Sequence, residues 1–450
     1  MDPEQILREL GTEMPDRSAR GLAETVFRMV RAGVLQSGDR LPTVRTTAAH
    51  LGMSPSSVAE AWRTMLDAQA IETRRRGGTF VVGPPTPATP ERYERLLESA
   101  RGMAELGRPS ADPHLWPDPA EAFAFAVEHV RVEAENDPIP MTPILYDAVR
   151  PSWPFEPGAL MATNGGLDGL ALALRTLVAP GERVLVAEPT EIIVLDLLDS
   201  MRCMAVPIPH DEHGPRPDAL ARELASDPPV FIHQSGPSSP LGRSTTKARM
   251  QELAAVIKGH PTHVVEMCPH PYFTTQTPSV GAWLPQQVLH VRWYGRSHGA
   301  DILVGVVGGD REVLRRMWLM RGYQAQWTSR YLQNALAYLL TDEPAIATVD
   351  EARKVYDQRR QGLVAALARA GIVSKSNAGT SVWIPVPNED SAWMHLAQRG
   401  YAAQRGADFH LEGPSEPHLR VSIASYRDDL DALARTLIEA GTRADPFPSA

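Results

Sequence analysis

Residues 40–82 read RLPTVRTTAAHLGMSPSSVAEAWRTMLDAQAIETRRRGGTFVV, and this stretch decides how the first part of the chain folds. Thr43 is a candidate N-cap for a short helix, and Gly52 ends that helix because glycine tolerates the left-handed backbone conformation. Ser54 caps a second helix with Pro55 in its first position, where a missing N–H costs nothing. The apolar residues that follow recur at helical spacing: Val58, Ala61, Trp62 and Met65. Two short helices joined by a tight turn predict a helix-turn-helix.

A β-hairpin with a basic tip is predicted to follow the second helix. Two runs of β-type residues, 70–73 and 79–82, flank the sequence RRRGG at 74–78. Three adjacent arginines usually mark only a solvated loop. Directly behind a helix-turn-helix, they favour a wing that contacts nucleic acid.

The stretch from Gly33 to Val81 resembles the winged-helix domain of the GntR family of bacterial transcription regulators over its full length. The resemblance implies that the second helix enters the major groove of a double-stranded DNA operator and that the wing reaches the neighbouring minor groove. Many members carry an arginine just after the capping serine, where this chain has Pro55, so base readout is expected to depend on Arg45 and the wing. The residues implied to lie at the DNA are Arg45, Ser54, Ser56, Ser57, Arg74, Arg75, Arg76 and Gly78.

Charge is distributed unevenly along the 450 residues. The formal net charge is −9, yet residues 17–85 hold ten arginines against five carboxylates, which gives +5 there and −14 for the remainder. This asymmetry suits a DNA-reading head on an acidic body. The length predicts at least two domains.

The composition favours a cytoplasmic protein. Cys203 and Cys268 lie far apart and form no disulfide framework. No apolar stretch reaches the roughly 20 residues that a membrane span needs, and the N-terminal sequence lacks a signal-peptide pattern. We therefore expect a soluble protein with no membrane partner.

The chain is predicted to contain a winged helix-turn-helix domain at 1–82, a linker at 83–110 and a larger domain at 111–450. Within the first, 1–16 is expected to be an arm and 18–35 a helix. The linker opens with GPPTPATP, and a short helix at 91–106 follows. Beyond residue 161, short β-rich runs alternate with helical segments, which predicts an α/β fold with a mostly parallel central sheet. A smaller α+β subdomain is expected from about residue 342.

The larger domain is similar to the fold-type-I aminotransferases. Matching stretches occur in order over about 340 residues, among them MATNGGLDGLALALRTLVAPGERVLVAEPTE, GPSSPLGRSTTKARMQELAAV, VRWYGRSHGADILVGVVGG and HLRVSIA. A GntR head joined to such a body looks like the MocR subfamily of regulators. That resemblance implies a homodimer built through the large domains and a site for pyridoxal phosphate.

The residues of that cofactor site are predicted to be lost. The cofactor needs a lysine amine for its Schiff base, and the alignment of YGRSHGADIL puts Arg296 at this position, where a permanently protonated guanidinium cannot condense with an aldehyde. The other four positions also differ: Met267 replaces the aspartate at the ring nitrogen, Ser239 the asparagine at the ring hydroxyl, Glu191 the stacking tyrosine and Leu303 the substrate arginine. We therefore expect no cofactor and no enzymatic activity. The alternatives are a pyridoxal phosphate-dependent MocR-type regulator or aminotransferase, and a body that binds no ligand and serves only as a scaffold for a dimer.

Two elements of the ancestral site are retained. The sequence Asn164-Gly165-Gly166 opens a helix where related proteins hold phosphate, and Arg420 matches an arginine that binds a substrate carboxylate. Together with Arg296 they are candidates for binding an anionic small-molecule effector. The alternatives are a plain turn and helix start, a structural ion pair at Arg420, or a pocket filled by protein in which Glu191, Asp301 or Glu266 pairs with the arginines.

Two further groups of residues are candidates for ligand sites. Cys268 and His260, His263 and His270 fit no standard zinc spacing, so no metal is expected. The aromatic residues Trp293, Tyr294, Trp318 and Trp327 are predicted to be core, with the lining of a pocket for a planar ligand as the alternative.

Overall fold

The computed structural model describes residues 1–14, 16–67, 70–74, 78–82, 90–99, 101–130, 139–274, 278–323, 325–411, 413 and 416–442. The chain divides into two compact units, Met1–Thr89 and Pro90–Ala450. The predicted linker at 83–110 is thus too long, because the second unit begins at Pro90 and not near Ala111. Residues 83–89 lie outside the described residues.

The first unit is a winged helix-turn-helix, as predicted. Its elements are α1 (Pro3–Glu13), α2 (Ala19–Arg31), α3 (Val44–Leu51), α4 (Pro55–Asp67), β1 (Ile71–Arg74) and β2 (Gly78–Val81). Thr43 Oγ1 accepts a hydrogen bond from Thr46 N at 3.2 Å and Ser54 Oγ one from Ser57 N at 3.0 Å, so both predicted caps are present. Gly52 ends α3 at φ +65°. The strands β1 and β2 pair in antiparallel fashion.

The N-terminal residues form a helix and not an arm. One face of α1 is buried, with Ile6 and Leu10 fully so, and packs into the apolar core that α2 and α4 also build. Asp2 caps α1 by accepting from Gln5 N at 2.8 Å. The prediction failed because a segment of 11 residues has little helical stability by itself and depends on this packing.

The second unit contains most of the chain. Its helices are α5 (Glu91–Ser99), α6 (Ala120–His129), α7 (Pro143–Val149), α8 (Gly166–Leu177), α9 (Ile192–Ser200), α10 (Pro217–Leu224), α11 (Lys247–Ile257), α12 (Gly295–His298), α13 (Arg311–Met320), α14 (Arg330–Thr341), α15 (Glu343–Arg369), α16 (Glu389–Ala397) and α17 (Leu430–Thr442). Its strands are β3 (Ala104–Glu105), β4 (Ala159–Thr163), β5 (Arg183–Glu188), β6 (Met204–Asp211), β7 (Gly214–Pro215), β8 (Val230–Gln234), β9 (His263–Cys268), β10 (Val288–Trp293), β11 (Gly305–Gly309), β12 (Ser381–Pro385), β13 (Tyr401–Ala402), β14 (Gln404–Arg405) and β15 (His418–Ser422).

A mostly parallel sheet of eight strands forms the centre of this unit, which confirms the predicted fold class. The strand order is β4-β11-β10-β9-β8-β5-β6-β7. The five strands from β10 to β6 run parallel, whereas β11 is antiparallel to both neighbours and β7 is antiparallel to β6. Parallel strands need cover on both faces, and helices on either side supply it.

A smaller α+β subdomain was predicted from about residue 342; its core includes the last turns of α15, and it also takes up residues from the expected linker. Its sheet has the order β12-β15-β14. β3 pairs with β13, and Leu106 is fully buried in the core of the subdomain. Arg92, on α5, contacts Asp196 on α9 at 3.0 Å. These contacts, rather than sequence regularity, place residues 90–110 in the second unit.

Within the described residues, none of the helices combines the length and apolar character that crossing a bilayer requires.

Candidate functional site

The start of α4 presents a group of serine hydroxyls. Ser54 and Ser56 are exposed and Ser57 is half-buried. Ser54 Oγ lies 2.8 Å from Ser56 Oγ and 2.9 Å from Ser57 Oγ. Arg45 is exposed in the first turn of α3. Hydroxyls at a helix start and an exposed arginine are side chains suited to contact phosphates and base edges.

Only part of the predicted wing lies within the described residues. Arg74 is the last residue of β1 and pairs with Gly78, the first residue of β2. Arg75 and Arg76 lie outside the described residues, as does the side chain of Arg74. A Cβ at Gly78 would come within 3.0 Å of Arg40 Nε, so the guanidinium of Arg40 packs against the base of the wing.

Two basic residues near this surface were missed by sequence reasoning. Arg40 is exposed and forms an isolated antiparallel bridge with Phe80. Arg63 is exposed on α4, seven residues after Ser56 and therefore on the same helical face. That spacing was a usable signal for Arg63, whereas the position of Arg40 depends on strand pairing.

The second unit contains a cavity of about 640 Å³, and its wall includes three of the positions that the resemblance assigns to the cofactor site, Glu191, Arg296 and Leu303. The starts of α8, α9 and α12 contribute to its wall together with residues 108–116. Most of the side chains are apolar or aromatic, including Trp116, Leu167, Ile192, Trp293 and Leu303. Of the four aromatic residues weighed above, Trp293 and Tyr294 line this cavity. Trp318 packs against the central core, and Trp327 is exposed.

Arg296 lies at the cavity wall in α12. Its Nη1 donates to His270 Nε2 at 2.9 Å and lies 4.0 Å from Glu191 Oε1, and its guanidinium sits 5.2 Å from the ring centroid of Trp293. Burial lowers the pKa of Arg296, opposed by Glu191. Burial also holds the pKa of His270 well below its usual value, so His270 is a neutral acceptor. The cation at the lysine position is therefore held by protein groups on three sides.

No lysine amine lies at this wall. The chain has four lysines, all within described segments, and none of them lines the cavity. Lys375 donates to Glu212 at 2.6 Å and Lys354 to Glu351 at 3.2 Å. Lys247 and Lys258 lie at the two ends of α11.

Arg420 is fully buried, and its donors are used within the protein. Nη1 donates to Gly107 O and to Gln404 Oε1, Nη2 to Ser239 Oγ at 3.2 Å, and Nε to Ser381 Oγ at 3.3 Å. Burial lowers the pKa of Arg420 to about 10. Within the described part of the chain, no carboxylate lies within 4.0 Å of it, so the structural ion pair considered from the sequence does not form. Arg420 is also absent from the cavity wall.

The three carboxylates expected as possible partners of the arginines lie in different places. Glu191 is 5% exposed, lines the cavity and lies nearest to Arg296, but its Oε1 has no hydrogen-bond partner among the described residues. Glu266 is fully buried away from both arginines, where it accepts from Ser279 Oγ, Val280 N and His290 Nδ1. Asp301 is exposed. Glu191 is thus the one of the three that compensates Arg296.

The predicted phosphate cradle is covered by apolar side chains. A Cβ at Gly166 would fall 1.1 Å from Trp293 Cδ1, so the indole lies directly on the first turn of α8. Leu303 Cδ1 lies 3.1 Å from the corresponding point at Gly165. The backbone N–H of Asn164 donates to Asp168 Oδ2 at 2.8 Å. A carboxylate is therefore already present at this helix start, where it interacts favourably with the helix dipole.

The remaining cofactor positions are occupied by groups of unsuitable chemistry. Met267 is fully buried in the apolar cluster that also includes Val291 and Trp293, and a thioether has no proton to share with a ring nitrogen. Ser239 accepts from Arg420, and Gln234 bonds to its backbone on both sides. With an indole over the phosphate position and a guanidinium at the amine position, these residues do not fit pyridoxal phosphate.

The contact of Trp293 with Gly166 can be tested by overpacking. We expect Gly166→Ala to lower the free energy of unfolding by about 1–3 kcal/mol, because the new methyl group overlaps the indole. Gly322→Ala is the matched control, since a Cβ there meets nothing within 4 Å. In chemical denaturation, the double variant Gly166→Ala, Trp293→Ala should lose less stability than the sum of the single losses. Additive losses would show that the indole does not cover Gly166.

Within the described residues, no three His, Cys, Asp or Glu side chains converge in the way that a metal ion requires.

Comparison with known proteins agrees with this two-unit structure. Residues 19–81 match the family described as bacterial regulatory proteins, gntR family, and residues 147–437 match aminotransferase class I and II. The vitamin B6 salvage pathway transcriptional repressor PtsJ of Salmonella typhimurium is 25% identical over 95% of this chain and 99% of its own length. The transcriptional regulator TauR of Rhodobacter capsulatus is 24% identical over 86% of this chain and 88% of its own.

A solved structure shows the same body fold. The Pyrococcus horikoshii kynurenine aminotransferase superposes with a TM-score of 0.68 at 18% identity, covering 78% of this chain and 95% of that one. The two regulators match 95% and 86% of this chain, whereas the enzyme covers 78% of it.

Proposed function

Because the chain belongs to the aminotransferase class I and II family and carries a gntR-family regulatory domain ahead of that region, we propose that it is a sequence-specific transcription regulator of the cytoplasm and not an enzyme. The observation that carries the proposal is the exposed start of α4 with its serine hydroxyls, in a helix-turn-helix whose first helix also exposes Arg45. A recognition helix with this end free can enter a major groove.

The body of the regulator is proposed to sense a small molecule without a covalent cofactor. Arg296, Met267 and Trp293 support this, since they supply no amine, no ring-nitrogen acid and no open phosphate cradle. A cavity of about 640 Å³ is large enough for a metabolite. A ligand that favours one arrangement of the body could change operator affinity by a coupling of about 1–3 kcal/mol.

An acidic group on an apolar, planar frame is the ligand chemistry that we propose for this cavity. The guanidinium of Arg296 is the candidate donor, and Trp293 and Ile192 offer apolar contact. Asn164, Gly165 and Gly166 line the same wall, although Trp293 and Leu303 cover the two glycines. Arg420 would have to break its hydrogen bonds to Gly107 and Gln404 to reach a ligand, so we propose only a secondary role for it in ligand binding.

Operator affinity in the presence of candidate acids tests this assignment. An acid that changes the affinity of the wild-type protein is expected to lose most of its effect in Arg296→Ala. Arg315→Ala, an exposed arginine on α13 paired with Glu312, is the control and should respond like the wild type. An effector that changes the operator affinity of Arg296→Ala and of Arg420→Ala as much as it changes that of the wild type would rule out both arginines as its ligands.

The protein is also proposed to be a homodimer built through the second unit. A dimer allows two heads to contact two half-sites of one operator, and related bodies form their pockets at a two-fold interface. Light scattering at micromolar concentration should give about twice the 49.3 kDa chain mass. A truncated chain that begins at Pro90 should give the same stoichiometry. A monomer in both cases would contradict the proposal.

A further inference from the structure

The second unit contains another cavity, of about 700 Å³. Arg292 of β10 lines it, whereas the adjacent Trp293 lines the first cavity. Successive residues of a strand point to opposite faces, so these two side chains leave β10 on opposite sides of the sheet. Among the described residues the two walls have no member in common, although the ring of Tyr294 in the first wall lies 5.9 Å from that of Tyr272 in the second.

Arg292 is a buried cation, and none of the carboxylates in the described residues pairs with it. It is 4% exposed. Nη1 donates to Ser152 Oγ at 2.8 Å and Nη2 to Ser152 O, and the guanidinium lies 4.5 Å from the ring centroid of Trp153. Its Nε has no hydrogen-bond partner in the described part of the chain. A charge removed from water in this way is costly unless an anion compensates it.

Two further cations in the cavity wall add to the positive charge of Arg292. Lys247 is exposed at the start of α11, and Arg353 lies on α15 with Asp350, which it contacts at 3.0 Å. Asp350 is the only carboxylate among the lining residues that the structure describes, so three cations face one anion. The neighbouring sequence 275–277 reads TQT and carries no carboxylate.

Aromatic surface completes the site. Tyr272 and Trp283 line the cavity, and Trp283 is 37% exposed. An aromatic face beside arginines suits a ligand with a flat apolar part and an anionic group.

We propose that this cavity is a second ligand site, which binds a small organic anion through Arg292, Lys247 and Arg353, with the apolar part of the ligand on Tyr272 and Trp283. Phosphate and carboxylate present similar oxygen pairs to a guanidinium, and both are within the proposal. The site does not depend on the proposed regulatory function, because its residues belong to the body alone.

Calorimetric titration of the full chain with phenyl phosphate, benzoate and inorganic phosphate tests the proposal, at an ionic strength kept constant with chloride. Saturable binding of at least one aryl anion is expected, tighter than that of inorganic phosphate. Arg292→Gln should weaken it by about tenfold or more, since hydrogen bonds to charged groups are the strong ones. Whichever of phenyl phosphate and benzoate binds more tightly shows whether the site prefers a phosphate or a carboxylate group.

Two exposed positions keep the test valid if Arg292→Gln does not fold. Lys247→Gln should weaken binding by about twofold to fivefold, the range for an exposed charge. Lys258→Gln, at the other end of the same helix, should leave the affinity unchanged. Absence of saturable binding, equal affinity in Lys247→Gln and Lys258→Gln, or inorganic phosphate binding as tightly as the tighter of the two aryl anions would overturn the proposal.

Discussion

Purified protein incubated with pyridoxal phosphate, dialysed and reduced with borohydride is expected to keep its unmodified mass. Arg296 occupies the position of the reactive amine, and a guanidinium stays protonated and does not form the Schiff base. The four lysines lie away from the cavity, so adducts at these surface amines should be lost in dialysis. Mass spectrometry of the intact chain provides the measurement.

Arg296→Lys alone should not restore covalent binding. The lysine would supply the amine, but Trp293 would still cover the start of α8, Met267 would offer no proton to the ring nitrogen, and the carboxylate of Glu191 would face the ring. Arg296→Lys is compared with the double variant Arg296→Lys, Trp293→Ser. A stoichiometric adduct on the wild-type chain, or on Arg296→Lys alone, would contradict this account of the site.

Arg45→Ala is expected to weaken binding to a selected DNA duplex by about 5- to 150-fold, which corresponds to the 1–3 kcal/mol of a good base contact. Arg45 is exposed in the first turn of α3, close in sequence to the recognition helix. Arg63→Ala, on the exposed face of α4, should weaken binding in the same direction. Fluorescence anisotropy across a salt titration distinguishes contacts to bases from contacts to phosphates. Each phosphate contact removed lowers the slope of the logarithm of the binding constant against the logarithm of the salt concentration by about 0.9.

Arg20→Ala is the matched control within the same unit. Arg20 is exposed on α2 and paired with Glu24 at 2.7 Å, away from the start of α4 in sequence. Its removal should leave DNA affinity within about twofold, as expected for an exposed ion pair. Equal affinities for Arg45→Ala, Arg63→Ala and Arg20→Ala over the whole salt range would refute the assigned surface.

The sequence predicted the helix-turn-helix of the head, though not α1 (Pro3–Glu13), because the signals of the helix-turn-helix are local. Thr43 and Ser54 cap helices within three residues of themselves, and Gly52 ends a helix by its own backbone conformation. The alternation of β-rich runs and helices likewise predicted the central sheet. The linker was misjudged because β3 pairs with β13, about 300 residues further along the chain.

The cavity could be predicted only in part. Alignment placed Arg296 and Glu191 at the site, and the structure brings them within 4.0 Å of each other. Alignment could not show that Arg420 donates to Ser239, Gln404 and Gly107, because side-chain directions depend on packing. Trp293 covers Gly166 because its indole points towards α8. The direction of this side chain could not be predicted from the sequence.

Selection of duplexes from a random DNA library by the full-length protein tests the central claim most directly, with the affinity of the enriched duplex measured at physiological salt. The account predicts an enriched duplex with two half-sites, bound about 10³-fold or more tightly than a scrambled duplex of the same composition. Enrichment of no sequence, with equal affinity for the selected and scrambled duplexes, would contradict it.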